Sequence, residues 1–270
     1  MKVIIIGKNS FVATNLKIYL KKKKVFYKGL SFSDFLSKKN IFENFDYIIN
    51  CSSNKNFVDK KYLFKNDHDT RIARAINKTG LKLIILSTRK VYKTKHNSKE
   101  TDKILPKCNY SKNKSISEKK SYKILGTRLL ILRISNLIGK PKKNNRKLHN
   151  TFLDIFFSFA KKGVIFDNKK IFKDFLPVNK LSEIIFKLIK IQAYGIYNVS
   201  LGKKVYLNDI IKWLNFYNNK KIRKTLVNNS FNQDNFTLNN QKLINKIKIK
   251  INISELKNEC MKLSKKEFIK

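Results

Sequence analysis

A doubly wound α/β fold is what this chain of 270 residues predicts: a parallel sheet covered by helices on both faces, with a smaller, mostly helical part built from the C-terminal third. Three observations carry this. Short, unbroken apolar runs of strand length recur, longer amphipathic segments separate them, and the alternation changes after about Leu137. A strand buried on both faces reads as a continuous apolar run, and a helix between consecutive runs is the crossover that parallel strands require. In order, "KVIII" opens a strand, "FVATNLKIYL" a helix, "VFYKG" a second strand and "DYIINC" a third. "TRIARAINKTG" follows as a helix that Gly80 is expected to stop, then "LKLIILST" as a strand, a helix beginning near Tyr110, and "TRLLILRIS" as another strand.

Beyond Leu137, "GKPKKNNRK" reads as a polar loop with Gly139 and Pro141 as breakers, and "LHNTFLDIFFSFAKKG" as an amphipathic helix ended by Gly163. "DFLPVNKLSEIIFKLIK" is a short extended stretch feeding a helix, "GIYNVSL" a strand, and "YLNDIIKWLNFY" a helix with Asn208 near its start. Within the charged, mostly helical tail, "KIKIKINI" alternates in the manner of an edge strand. The expected division is residues 1–136 for the first domain, completed by 174–200, with 137–173 and 201–270 forming the second part.

The formal charge of +43 points at first to nucleic acid or an anionic lipid surface. Only seven of the 61 basic residues are Arg, however, the lysines lie in every segment rather than in one stripe, and Lys, Asn, Ile and Phe are abundant together as an AT-rich coding sequence would make them, so no specific nucleic acid is expected. The apolar run before Gly7 is too short for a signal segment, and no later stretch has the length of a bilayer span. Cys51, Cys108 and Cys260 are odd in number without metal-like spacing, and His68, His96 and His149 are isolated, so no metal is expected and a reducing, cytoplasmic setting is the natural one.

The chemistry-bearing stretches sit at strand ends. "GKNSFVA" joins the first strand to a helix, where a dinucleotide-binding fold holds its pyrophosphate on helix N-terminal amides. The three positions of a G-x-x-G-x-x-G pattern are Gly7, Ser10 and Ala13. Only the first is Gly: Ala13 is small enough for helix-on-strand packing, whereas Ser10 brings a Cβ toward the phosphates and is expected to weaken binding. "LIILSTRKVY" ends another strand, and 22 residues after Thr88 the segment "YSKNKSISE" opens a helix carrying Tyr110, Lys114 and Glu118 on one face. An ammonium one turn from a phenol favours the phenolate.

At these residues the chain resembles the extended short-chain dehydrogenase/reductase family, in its nucleotide-sugar epimerase/dehydratase and dTDP-4-dehydrorhamnose reductase-like branch. The resemblance spans most of the chain: the opening loop, "DYIINCSS", Asn66-Asp67, "LSTRKVY", "YSKNKSISE", "LRISNLIGKP", "FKDFLPVNKLSEII" and "GIYNVSLG" stand in the family's order. It implies a Rossmann domain that binds NADP or NAD along Gly7, Ser10, Phe11 and Val12. It also implies an active site in which Tyr110 is the general acid/base, Thr88 holds the substrate oxygen, and Lys114 lowers the proton affinity of Tyr110 and binds the nicotinamide ribose. Asn66 would contact the cofactor, the alternative being a helix cap. Asn136 and Lys173 would meet the substrate, Lys173 standing where the family usually has an Arg against the diphosphate of a nucleotide sugar. A homodimer is compatible with this reading.

Three departures qualify it. The 4,6-dehydratases of the family follow the active-site Thr with an acidic pair, but Arg89 and Lys90 stand here, which disfavours dehydration. Asn113 replaces the family's Ser before the active-site Lys. "VFYKG" lacks the acidic residue that binds the ribose hydroxyls of NAD and offers Lys28, which slightly favours NADP. The implied function is hydride transfer between NAD(P) and a nucleotide-activated sugar, by a reductase or an epimerase in surface-polysaccharide precursor synthesis. The rival is a non-catalytic Rossmann protein that senses a dinucleotide or binds nucleic acid through its charge.

Overall fold

The computed structural model describes residues 1–37, 44–139, 152–167, 170–219, 224–227 and 234–269. The strands are β1 (Lys2–Ile6), β2 (Phe26–Leu30), β3 (Tyr47–Asn50), β4 (Lys82–Thr88), β5 (Leu129–Ile134), β6 (Asn136–Ile138), β7 (Val164–Asp167), β8 (Phe172–Lys173), β9 (Phe175–Pro177), β10 (Gly195–Val199), β11 (Val205–Tyr206) and β12 (Lys224–Val227). The helices are α1 (Phe11–Lys22), α2 (Phe32–Ser37), α3 (Lys55–Asp59), α4 (His68–Ala75), α5 (Asn109–Leu125), α6 (Phe152–Ala160), α7 (Val178–Lys190), α8 (Leu207–Leu214), α9 (Gln241–Ile247) and α10 (Ile253–Phe268).

Six strands form one parallel sheet in the order β10-β5-β4-β3-β1-β2. Side chains alternate across it, which is why the apolar runs are continuous: Val3 and Ile5 enter one core, and Ile4 and Ile6 the other. The first core holds α1, α7 and most of the C-terminal part, with Leu16, Leu20, Leu181, Ile184, Leu188, Leu256 and Leu263 buried in it; the second lies against α4 and the end of α5. Among the described residues the smaller part adds two-stranded pairings, β11 with β8, β12 with β7 and β6 with β9, beside helices α6, α8, α9 and α10.

Two expectations are corrected. The helix in "TRIARAINKTG" ends at Ala75 rather than at Gly80, because Ile76 already leaves helical geometry while its N–H still bonds to Ile72 O. "KIKIKINI" forms no edge strand: Lys248 turns left-handed at φ 47° after α9, and α10 begins at Ile253. Its alternation is nevertheless real, since Ile247, Ile249 and Ile251 are all buried as the connection between two helices crosses the core. The loop read in "GKPKKNNRK" lies outside the described residues beyond Gly139.

The sheet order reverses between β1, which turns back to β2, and β3, which continues outward to β4. In open α/β sheets a crevice opens beyond the strand carboxyl ends at such a switch point. The turn after β1 and the segment after β3 therefore border the place where a ligand is expected.

Candidate active site

Gly7 makes the first turn possible. Its φ is +82°, and a Cβ there would stand 2.7 Å from the Ser52 backbone N, so the turn after β1 is packed directly on the chain leaving β3. The Gly7 and Lys8 amides both bond to Leu30 O, at 2.8 and 3.0 Å, and tie the same turn to the end of β2. Ser10 is the N-cap of α1, its Oγ accepting from the Ala13 amide at 3.3 Å. Its side chain is thus engaged with the helix it caps, and Phe11 and Val12 follow as half-buried first-turn residues. Gly139 plays a comparable part, because a Cβ there would run into Val178 Cγ1 and lie 3.1 Å from Phe11 Cζ.

The helix α5 returns antiparallel to the strands, so its first turns stand at their carboxyl edge. Glu118 locates this face: its carboxylate accepts from Ser87 Oγ, next to the last residue of β4, and pairs with Arg133 at 2.7 Å. Glu118 is therefore committed to holding α5 against β4 and β5. Lys114 and Tyr110 lie one and two turns further toward the helix start, about 6 Å per four residues, and so project beyond the end of β4, which closes with Thr88. The Thr88 Oγ1 accepts from Lys90 N at 3.2 Å, leaving the hydroxyl proton available as a donor.

Lys114 is buried and not free. Its ammonium bonds to Asp69 Oδ2 at 2.8 Å, and the two side chains are only 8% and 3% exposed. Asn50 Nδ2 donates to the other oxygen of Asp69 at 2.5 Å. Ser117 Oγ joins the neighbouring Asp67 at 2.8 Å, and Tyr62 and Thr70 donate to Asp67 as well. Burial would lower the proton affinity of Lys114, but Asp69 and then Tyr110 outweigh it, and the ammonium is held well above its ordinary value. Burial raises the Tyr110 phenol, with Lys114 pulling it down and Asp69 and Cys108 pushing it up.

Asn66 is buried in a short 3-10 turn and is not a helix cap; Asp67 caps α4 by accepting from the Thr70 amide at 3.1 Å. Asn66 instead lines a small hollow shared with Ser52, Asn54, His68, Asp69 and Lys114. Lys28 is placed mid-strand, opposite Ile4 and exposed, two residues inside the carboxyl edge of β2. A cation near that edge is Lys8, paired with Asp34 at 3.2 Å. Asn136 is half-buried in β6 and its amide bonds to Asp174 O at 3.2 Å, while Asn113 ties α5 to α3 through Phe57 O and Lys60 O, both at 2.8 Å. Lys173 Nζ donates to Asp234 O at 3.2 Å and lies 3.5 Å from its carboxylate. Arg89 holds that carboxylate through both terminal nitrogens and stacks on Phe236, 3.7 Å from guanidinium carbon to ring centroid.

The residues fit a nicotinamide dinucleotide. The close approach of Gly7 to Ser52, the capped start of α1 and the polar hollow around Asn66 and Lys114 follow one another along the carboxyl edge. Sequence reasoning missed Asp69, Asn50 and Asp234. The one available signal was scarcity: acids number 18 against 61 Lys and Arg, so an acid at a strand edge is more informative than any lysine. Among the described residues no His, Cys, Asp and Glu grouping is suited to a metal ion, and no helix is long and apolar enough to cross a membrane.

Residues 1–200 match the family described as the RmlD substrate binding domain. No curated protein matches. Among solved structures, the UDP-N-acetylglucosamine 4-epimerase of Methanobrevibacter ruminantium, in complex with UDP-N-acetylmuramic acid, is similar with a TM-score of 0.80 at 17% identity, over 98% of this chain and 97% of that one. The dTDP-glucose 4,6-dehydratase of Bacillus anthracis, in complex with NAD, gives 0.75 at 15% identity over 98% and 96%. The dTDP-4-dehydrorhamnose reductase of Clostridium acetobutylicum gives 0.73 at 17% identity over 91% and 92%.

Proposed function

Because the chain belongs to the RmlD substrate binding domain family, we propose that it is an NAD(P)-dependent oxidoreductase or epimerase that acts by hydride transfer on a nucleotide-activated sugar. One observation carries this reading: Tyr110 and Lys114 stand on one face of α5 at the carboxyl edge of the sheet, with the ammonium buried and its charge acting on the phenol. The solved structures similar in fold include an epimerase, a dehydratase and a reductase of nucleotide sugars, which supports the substrate class. Arg89 and Lys90 in place of an acidic pair leave reduction or epimerisation favoured over dehydration, and Arg89 is engaged with Asp234.

In this reading Tyr110 moves the proton to or from the sugar oxygen, and Thr88 holds that oxygen through its free hydroxyl proton. Burial holds the phenol above its ordinary value of about 10, and the Lys114 charge opposes that rise and favours the tyrosinate once the proton has left. The turn from Gly7 to Val12 would hold the pyrophosphate, with Ser10 as its helix cap, Asn66 and Lys114 the nicotinamide ribose, and Lys28 or Lys8 the adenosine side. Asn136 and Lys173 would meet the substrate. The bound nicotinamide supplies or accepts the hydride.

The test is to incubate the pure protein with a panel of nucleotide sugars and each reduced and oxidised cofactor. Net cofactor consumption identifies a reductase, and sugar conversion without it an epimerase. Saturable cofactor binding with no conversion of any sugar would favour the sensor instead, and no binding of either cofactor at millimolar concentration overturns the reading altogether.

A further inference from the structure

The lysine that the active site relies on is already paired. A buried Lys114–Asp69 contact of 2.8 Å, with Asn50 on the second carboxylate oxygen at 2.5 Å, is a built arrangement rather than a chance meeting of surface charges. An ammonium by itself would pull the nearby phenol toward its ionised form; an ammonium with a carboxylate on it pulls far less, because the two fields oppose each other at the phenol oxygen.

We propose that Asp69 is a positioning residue for proton transfer, fixing the Lys114 ammonium and offsetting its charge so that Tyr110 is kept protonated and serves as a proton donor. This deepens the reading above and rests on it. Its consequence is a direction: the site suits delivery of a proton to a carbonyl oxygen, as in reduction of a keto-sugar nucleotide. The proton leaves the phenol oxygen, the former carbonyl oxygen becomes a hydroxyl, the reduced nicotinamide supplies the hydride, and solvent returns a proton to the tyrosinate.

The surroundings leave Asp69 as the group to test. On α4, Asp67 is occupied by Tyr62, Thr70 and Ser117. His68 is brought down to about 4, first by burial and then by Arg71, so it is neutral through the physiological range. Beyond β3, the Cys51 thiol is pushed up to about 12 by burial and by Asp69 itself, a second group that registers this carboxylate. Cys108 precedes α5, and Lys90, in the turn after β4, acts on Cys108. The Phe57 ring closes the side toward α3, 5.6 Å from the Lys114 ammonium.

The experiment titrates Tyr110 without substrate or cofactor, by phenolate difference absorbance against a matched Tyr110→Phe protein. Asp69→Asn alone leaves Lys114 buried without its partner, and Lys114→Met alone does the same to Asp69, so the decisive comparison, Lys114→Met against Lys114→Met/Asp69→Asn, is made at a temperature where circular dichroism shows both to be folded. Removing the carboxylate in that background should lower the Tyr110 midpoint by about one pH unit or more, tenfold in proton affinity. If Asp69→Asn folds, its reductive turnover, which needs the protonated phenol and is lost as pH rises through that midpoint, should lose its alkaline limb at lower pH than wild type. An unmoved Tyr110 midpoint in the Met background overturns the proposal and leaves Asp69 a structural partner only. Because the titration needs no turnover, it stands whether or not any nucleotide sugar is converted, and failure of every substrate would instead count against the proposed function.

Discussion

Two of the lysines singled out in the sequence meet aspartates, and the pairs differ in almost everything but chemistry. Lys114 and Asp69 are 8% and 3% exposed and 2.8 Å apart, with Asn50 donating to the carboxylate's other oxygen. Lys173 and Asp234 are 22% and 39% exposed and 3.5 Å apart, and Asp234 is shared with Arg89 and Thr94. The first pair is desolvated, so each member depends on the other; the second is partly wet, so solvent can replace either partner. A lysine in this lysine-rich chain is thus informative according to its burial, not its presence.

The largest expected effect falls on the first pair's client. Tyr110→Phe keeps the ring and removes the ionisable group, so turnover on an accepted sugar should fall by roughly a hundredfold or more while melting temperature and cofactor affinity stay near wild type. Wild-type turnover in this variant would break the assignment of Tyr110.

Next comes stability. Lys114→Met leaves Asp69 buried without its cation and should cost about 3–5 kcal/mol in denaturant unfolding, with weakened cofactor binding. The pH dependence has a definite sign. Lys114 is raised in the fold, so its contribution is present below the unfolded value of about 10.4 and is lost as pH rises through the folded one. Asp234 is the converse. Burial raises it, but Arg89 and Lys173 overcome this and bring it down to about 2, so its contribution is present above the unfolded value of about 3.9 and is lost as pH falls through about 2. The melting-temperature gap between wild type and Asp234→Asn should therefore close as pH falls through about 2, whereas the contribution of the Lys114 ammonium should be lost on the alkaline side. An Asp234→Asn gap that stays open at the acid end would erase the contrast.

Lys173→Ala should cost under about 1 kcal/mol of stability, because its partner stays hydrated and bound to Arg89. Its effect should appear as a raised KM for a nucleotide sugar with kcat little changed, as for a contact made equally in ground and transition states. An unaltered KM returns Lys173 to tying Asp234 alone. The smallest effect is at the turn after β1. Ser10→Gly removes a helix cap and should cost a few tenths of a kcal/mol without tightening cofactor binding, as read by cofactor titration. Tighter binding would show that the Ser10 Cβ obstructs the phosphates despite its cap.

The sheet was legible in the sequence because burial on both faces leaves a signature no surface element has: "VIII", "YII" and "LLIL" are continuous apolar runs, and each lies in a parallel strand. The face bearing Tyr110, Lys114 and Glu118 was legible as well, since helical spacing is a local property. "KIKIKINI" misled because a period of two reports which side chains are buried, not whether a neighbouring strand exists to bond with.

What only the tertiary structure decided is who stands opposite whom. Nothing local brings Asp69 to Lys114, 45 residues away, or Asp234 to Arg89, 145 residues away. Nor does local pattern divide the four-spaced face of α5 between a glutamate committed to Arg133 and a lysine committed to Asp69. Periodicity encodes burial along one element, whereas charge pairing depends on the distance between elements, and that distance exists only once the sheet has set the order of its strands.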